Sequence, residues 1–189
     1  MIEIRPAQPA DRTAVHRVTE AAFGDEGPRV VELLAALDAS ERTQLSLVAE
    51  ADGAVVGHVQ LNRSWLDARE SLVDVLVLCP LSVDPPHQRQ GIGGQLIEAA
   101  VATASKEGAP AVFLEGSPRY YARHGFERAS DRGFTRPSVR IPEAAFQVAV
   151  LEAHEEWMIG ALVYCDAFWA QDCVGFRDPL LAELEQSLG

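Results

Sequence analysis

A chain of 189 residues with a formal net charge of −12 has room for one sizeable domain, and such acidity argues against a nucleic-acid backbone as partner, which is held by clustered Lys and Arg. Hydrophobic residues make up 48% and charged residues 23%, the balance of an ordinary globular protein, with no apolar stretch long enough to span a bilayer. Three cysteines, Cys79, Cys165 and Cys173, are too few and too scattered for a disulfide framework or a zinc site, so no metal is expected and a reducing, cytoplasmic setting is the default.

Taken in order, the chain alternates strands and helices. Residues Ile2-Glu3-Ile4-Arg5 read at once as a short strand, so no signal peptide is expected. Asp11 to Phe23 reads as a helix, with Ala14, Val15, Val18, Ala21 and Ala22 at helical spacing. Gly24 to Pro28 breaks it, and a second helix runs from Arg29 to Leu37 on a stripe of Val30, Leu33, Leu34 and Leu37. Leu45–Glu50 and Val55–Asn62 are strands joined by the hairpin signal Asp52-Gly53. Asp67-Ala68-Arg69-Glu70 is a turn, and Leu72 to Val83 is a long apolar strand in which Pro80 removes a ladder donor, fitting a bulge or a splayed end. A helix follows from Ile92 to Lys106, burying Leu96, Ile97, Ala100, Val101 and Ala104 and stopped by Gly108. Ala111–Leu114 is a strand, Pro118–His124 a short helix, and Ala144–Leu151 and Ala161–Tyr164 further strands. Asp178-Pro179 caps a last helix whose stripe of Leu180, Leu181, Leu184 and Leu188 is expected to pack on the chain's own core rather than on a second subunit. No linker marks a second domain. One domain over 1–189 is expected, with a core over 1–151 and a strand-and-helix extension over 152–189.

The most informative stretch runs from Leu81 to Gly94. It passes from the apolar strand through a polar turn into a helix, with Gly91, Gly93 and Gly94 where turn meets helix. A helix start leaves backbone N–H groups unpaired and carries the positive end of the macrodipole. Glycines there let a ligand approach the backbone closely, and Arg89 adds a cation. The chemistry is that of a phosphate or pyrophosphate site. The stretch has no Gly-Lys-Ser/Thr of a P-loop, and its G-x-G-G spacing misses the dinucleotide fingerprint.

Gln88-Arg89-Gln90-Gly91-Ile92-Gly93 resembles the Q/R-x-x-G-x-G/A signature of the GCN5-related N-acetyltransferases. Leu81-Ser82-Val83-Asp84-Pro85 is similar to the strand end that precedes it in that family, and Tyr120-Tyr121-Ala122-Arg123-His124-Gly125-Phe126 to the family's downstream aromatic-Tyr-x-x-x-Gly-Phe element. Cys79-Pro80-Leu81 before the turn and Tyr-Tyr-x-Arg-x-Gly-Phe after it look most like the YhbS-like subgroup. The likeness is closest over 73–128, looser over 2–66 and weakest beyond 140.

The resemblance implies a mixed α/β fold, a mostly antiparallel central sheet flanked by helices and splayed where the cofactor arm enters. It implies acetyl-CoA as donor, coenzyme A as product, and direct transfer to a primary amine within a ternary complex. Backbone at Leu81, Ser82 and Val83 would hold the acetyl carbonyl and pantetheine arm. Gln88, Arg89, Gln90, Gly91, Ile92, Gly93 and Gly94 would hold the pyrophosphate. Tyr121, four residues before Gly125, stands where the family places the tyrosine that protonates the departing thiolate. A phenol is protonated at neutral pH and can donate. Tyr120 beside it takes a packing role, since adjacent helical residues do not share a face. Arg119 and Arg123 either approach the ligand phosphates or stay solvated or ion-paired, and His87 and His124 read as surface residues near the ligand.

No general base stands out. Asp74, in the strand leading to the turn, and Glu115, at the end of the next strand, are candidates. His58 and Gln60, with Asn62, alternate onto one face of their strand. They line an acceptor pocket or a face merely covered by helices or open to solvent. Glu26, between the first two helices, lies where the family shapes acceptor specificity. The acidity is read first as solubility, and it also suits a cationic amine. Two other classes stay open: a non-catalytic sensor of acyl-CoA or coenzyme A, and a protein-interaction module on the same fold. A monomer and a homodimer are equally compatible with the sequence.

Overall fold

The computed structural model describes residues 2–188. Its strands are β1 (Ile2–Pro6), β2 (Thr43–Ala51), β3 (Ala54–Ala68), β4 (Leu72–Val83), β5 (Ala111–Glu115), β6 (Glu127–Arg128), β7 (Phe146–Val150) and β8 (Gly160–Val163). Its helices are α1 (Arg12–Phe23), α2 (Gly27–Ala39), α3 (Ile92–Lys106), α4 (Pro118–Tyr121), α5 (Asp166–Ala170) and α6 (Leu180–Leu188). The strands form one eight-stranded sheet in the order β1-β2-β3-β4-β5-β7-β6, with β8 added on β3. It is mostly antiparallel, as expected. The parallel pair is β4 with β5, whose register is Leu76↔Val112 and Val77↔Phe113, while β4 itself continues to Val83. Contacts divide the chain into two compact units, Met1–Asn62 with Leu78–Thr103 and Arg63–Val77 with Ala104–Gly189.

In the first unit β2 and β3 form a hairpin around Asp52 and Gly53, whose φ values of 50° and 79° are the left-handed pair that a tight, twist-matched turn needs. The alternation of β3 then decides what each face meets. Val48 packs with Val15, Val18, Leu34 and Val55 under α1 and α2. Gly57 lies against α3. A Cβ there would stand 3.0 Å from Leu96 Cδ1 and 3.2 Å from Ile92 Cγ2, so glycine lets α3 settle close to the strand. Ile92, Leu96, Ile97 and Ala100 are buried on that helix, the face its sequence stripe marks out.

In the second unit Phe113 of β5 stacks on Phe146 of β7 at 5.8 Å and meets Phe134 edge-on at 5.0 Å. β8 pairs with the end of β3 from Trp65↔Val163 to Ala68↔Gly160. That partner carries β3 through Asp67 and Ala68, which local sequence marks as a turn. Ala144 and Ala145 likewise fall in a 3-10 turn led by Pro142, so β7 starts at Phe146. Leu162, Tyr164, Cys165, Phe168 and Val174 are all buried, which makes the segment after 152 part of this unit's interior. The stripe on α6 departs from expectation. Leu180 and Leu188 are 44% and 38% exposed and no residue of the helix is buried. The other two residues of the stripe, Leu181 and Leu184, are half-buried.

Candidate functional site

The first unit builds the loop between β4 and α3. At the strand end Ser82 is buried, its hydroxyl 3.0 Å from that of Thr19, while Leu81 and Val83 are half-buried. The Asp84 N–H donates to the Val56 carbonyl at 2.9 Å, and its carboxylate pairs with Arg17 at 3.1 Å and lies 4.0 Å from His87. After the 3-10 turn Pro85–His87, Gln88 donates its side-chain amide to the Val83 carbonyl at 3.0 Å and Gln90 to the Pro86 carbonyl at 3.2 Å. These two side chains therefore shape the loop from within. Arg89 and Gly91 have φ values of 62° and 82°, the left-handed region that favours glycine. The Gln95 N–H closes the first helical turn on the Gly91 carbonyl at 3.1 Å. The N–H groups of Ile92, Gly93 and Gly94, at the start of a 15-residue helix, have no carbonyl a turn earlier to receive them. Arg89 is exposed beside them, and nothing stands within 4 Å of where a Gly91 Cβ would be. This chain thus presents free amide donors, a helix dipole, a cation and open space, a set that fits a pyrophosphate.

The polar row on β3 is covered rather than solvent-exposed. His58, Gln60 and Asn62 are 1%, 2% and 0% exposed. Gln60 donates to Thr43 Oγ1 at 3.0 Å and to Asn62 Oδ1 at 2.8 Å. Thr43 donates to Asp38 at 2.7 Å, and Asn62 to the Cys79 carbonyl at 2.6 Å. The row thus links α2, β2, β3 and β4. His58 Nε2 lies 2.9 Å from Ser46 Oγ, but its Nδ1 is buried with no partner. Burial drives this imidazole from 6.5 down to about 4, with neighbouring His16 adding to the fall. Glu26 sits exposed in the turn between α1 and α2, ion-paired with Arg29.

The second unit builds the end of β5. Glu115 accepts a hydrogen bond from the Tyr164 hydroxyl at 2.8 Å and another from the Gly175 N–H at 3.1 Å. Burial lifts its carboxyl from 4.5 to about 7, against the opposite pull of Tyr164, Gly175 and the Arg140 charge. The next residue, Gly116, is fixed on both sides, its N–H to the Ala145 carbonyl at 2.9 Å and its carbonyl to the Gln147 amide at 2.8 Å. The Tyr121 ring lies over it, so close that a Cβ on Gly116 would stand 2.3 Å from Tyr121 Cε2. Tyr121 also meets Phe126 edge-on at 5.8 Å. Tyr120 turns outward against His124 at 5.4 Å, and burial lifts its phenol above the ordinary value. Asp74 is exposed near the start of β4.

The structure thus brings Glu115 and Tyr121 to one strand end, and Leu81 to Gly94 into one loop. Tyr164, Gly175 and Arg140 gather at Glu115 although no local pattern marks them. They are distant in sequence and only the fold unites them. Among the described residues no group of His, Cys, Asp and Glu is arranged to hold a metal ion, and no described helix is long and apolar enough to cross a membrane.

Residues 3–129 match the family model of the acetyltransferase (GNAT) domain. An uncharacterized N-acetyltransferase of Escherichia coli strain K12, YjhQ, is 36% identical over 137 residues, 71% of this chain and 74% of that protein. Among solved structures, the Escherichia coli GNAT family N-acetyltransferase YhbS, in complex with CoA, superposes with a TM-score of 0.78 at 26% identity, covering 88% of this chain and 91% of that one. A GNAT family acetyltransferase from Brucella melitensis, in complex with acetyl-CoA, gives 0.72 at 32% identity, covering 89% and 98%. The chain belongs to the GNAT acetyltransferase family and is YhbS-like within it.

Proposed function

We propose that this protein transfers the acetyl group of acetyl-CoA directly to a primary amine in a ternary complex. The observation that carries the reading is the glycine-rich start of α3, with its left-handed Gly91 and exposed Arg89. Two relatives whose structures contain CoA and acetyl-CoA support it. Residues 88–94 hold the pyrophosphate, and the backbone of 81–83 holds the acetyl carbonyl and pantetheine arm. Bound there, acetyl-CoA supplies a thioester whose acyl carbon bonds to the amine nitrogen as its bond to sulfur breaks.

Tyr121 keeps a proton on its hydroxyl for the departing sulfur. Glu115 takes the proton that the amine must lose. With a carboxyl near 7 it is half-ionised at neutral pH, close to the optimum for a general base. Asp74, exposed at the far end of its strand, is set aside for this role. His58, Gln60 and Glu26 are assigned to the acceptor. The first two are neutral polar groups closed to solvent, so they act on the acceptor pocket from behind its wall, while Glu26 is exposed.

The test begins with thermal unfolding in saturating acetyl-CoA, coenzyme A, ATP and NAD. A ligand bound only by the folded state at one hundred times its Kd adds about 2.7 kcal/mol of stability. Acetyl-CoA and coenzyme A alone should raise Tm, and thiol release with a panel of amines should then follow acetylated product by mass. No shift with either sinks the proposal. Tyr121→Phe should retain coenzyme A binding and lose turnover by about 10²–10⁴-fold.

A further inference from the structure

The family model ends at residue 129, yet Glu115 is held by residues well beyond it. We propose that the segment from Tyr164 to Arg177 is a working part of the catalytic site, with the Tyr164 hydroxyl and the Gly175 amide as the positioning groups that orient Glu115. The proposal rests on the reading of Glu115 as the base.

Three features carry it. The first is the choice of partners. Both groups on Glu115 are donors, Tyr164 O–H at 2.8 Å and Gly175 N–H at 3.1 Å. Two donors call for a side chain that only accepts, which an ionised carboxylate does and a Gln amide does not. Replacing buried charged groups by apolar ones is often neutral or stabilising, so a half-buried carboxylate held by two donors points to a role for its charge. The second is how tightly the amide is placed. Gly175 has φ 61° and a Cβ there would stand 2.3 Å from the Arg140 carbonyl oxygen, so only glycine brings this N–H to this point. The Phe176 N–H donates to that same carbonyl at 2.9 Å. The third is an ionic clasp. Asp172 accepts from Arg140 at 2.9 Å and from Arg177 at 2.8 and 2.9 Å. It pins the segment at both ends of the loop that carries Gly175.

The charged and titratable groups around Glu115 are Tyr164 just after β8, Arg140 in the loop before β7, and Asp172, which Arg140 holds. Tyr121 packs on the next residue of β5. Tyr164 and Arg140 both favour the ionised carboxyl, so removing either must raise the pH at which Glu115 gains its proton.

The test reads the carboxyl directly. Full-length protein labelled with carbon-13 at the glutamate side-chain carboxyl is titrated by NMR, with the Glu115 signal assigned by its loss in Glu115→Gln. The wild-type midpoint should lie near 7. Tyr164→Phe keeps the ring on Phe168, 4.8 Å away, and should move the midpoint up by about one pH unit. The acid limb of thiol release from acetyl-CoA, with the amine chosen from the panel, should move with it. Arg140→Gln should shift both in the same direction, and serves if Tyr164→Phe does not fold. An acid limb that survives Glu115→Gln overturns the assignment of the base itself. A limb that vanishes in Glu115→Gln but stays in place in Tyr164→Phe and Arg140→Gln, with an unmoved NMR midpoint, overturns the positioning role alone.

Discussion

Both units bury neutral polar side chains, but they treat their titratable groups in opposite ways. The first encloses His58, Gln60, Asn62 and Ser82, of which only His58 can take a charge, and burial opposes it. Its one titratable member, His58, is pushed to about 4 and stays neutral under ordinary conditions. The second holds the half-buried Glu115, whose carboxyl titrates near 7. In the proposed mechanism the difference separates two tasks. A site that binds an anion through backbone amides gains nothing from a group that changes charge with pH. A site that moves a proton needs one poised at working pH.

That contrast is sharpest in the pH dependence of stability. For His58 the folded state titrates at about 4 and the ordinary value is 6.5. Between these the unfolded chain binds the extra proton, so stability is full above 6.5 and falls as pH drops to 4. For Glu115 the folded state titrates at about 7 and the ordinary value is 4.5. There the folded chain holds the extra proton, so stability is full below 4.5 and falls as pH rises to 7. Each slope amounts to about 3 kcal/mol across its window, with opposite sign, and in the wild type they largely offset. Urea unfolding of His58→Gln should therefore expose stability that declines from pH 4.5 to 7, and of Glu115→Gln stability that rises over 4 to 6.5. Parallel profiles in the two variants would erase the distinction between the units.

A second pair of substitutions separates binding from turnover. Gly116→Ala places a methyl group 2.3 Å from the Tyr121 ring and must displace it. Turnover should fall by about 10²-fold, as for loss of a general acid, with coenzyme A affinity within twofold or so of wild type by calorimetry. Gly57→Val acts in the other unit. Its Cβ already meets Leu96 and Ile92 at 3.0 and 3.2 Å, and the added methyls push α3 away from β3. The expected outcome is a loss of about 1–3 kcal/mol in stability and weaker coenzyme A binding, with turnover at saturating donor little changed. If Gly57→Val instead spared affinity and lost turnover, the start of α3 would not be the cofactor's seat.

The same contrast explains what the sequence disclosed. The β4–α3 loop is written in consecutive residues because its donors are backbone amides, and glycines at fixed offsets announce the geometry. Strands and helices with clean periodicity, such as α1, α2, α3 and β4, follow for the same reason. The end of β3 does not, because β8 is its partner from about a hundred residues later and local turn signals cannot know that. Glu115 was visible only as a carboxylate at a strand end. Its meaning comes from Tyr164, Gly175 and Arg140, which no spacing connects to it. The α6 stripe is covered only in part, with Leu181 and Leu184 half-buried and Leu180 and Leu188 exposed, because an apolar face shows what a helix can cover, not how much of it the fold will meet.

The smallest effect is expected at Arg17. It is 55% exposed, pairs with Asp84 at 3.1 Å and donates to the Val55 carbonyl at 3.0 Å. An exposed pair of this kind is worth about 0–1 kcal/mol, so Arg17→Ala should hardly move the urea midpoint. Its consequence for binding is more telling. Asp84 opens the loop that leads to Gly91, and without Arg17 its carboxylate stands uncompensated near the proposed pyrophosphate seat. Coenzyme A affinity should fall by about two- to threefold at low salt and recover at high salt, where the Debye length shrinks to about 3 Å. Adding Asp84→Asn should restore it at low salt as well. An unchanged affinity in Arg17→Ala at low salt would mean that the anion lies beyond the reach of Asp84, and would move the proposed pyrophosphate seat away from the start of the loop toward Gly93 and Gly94.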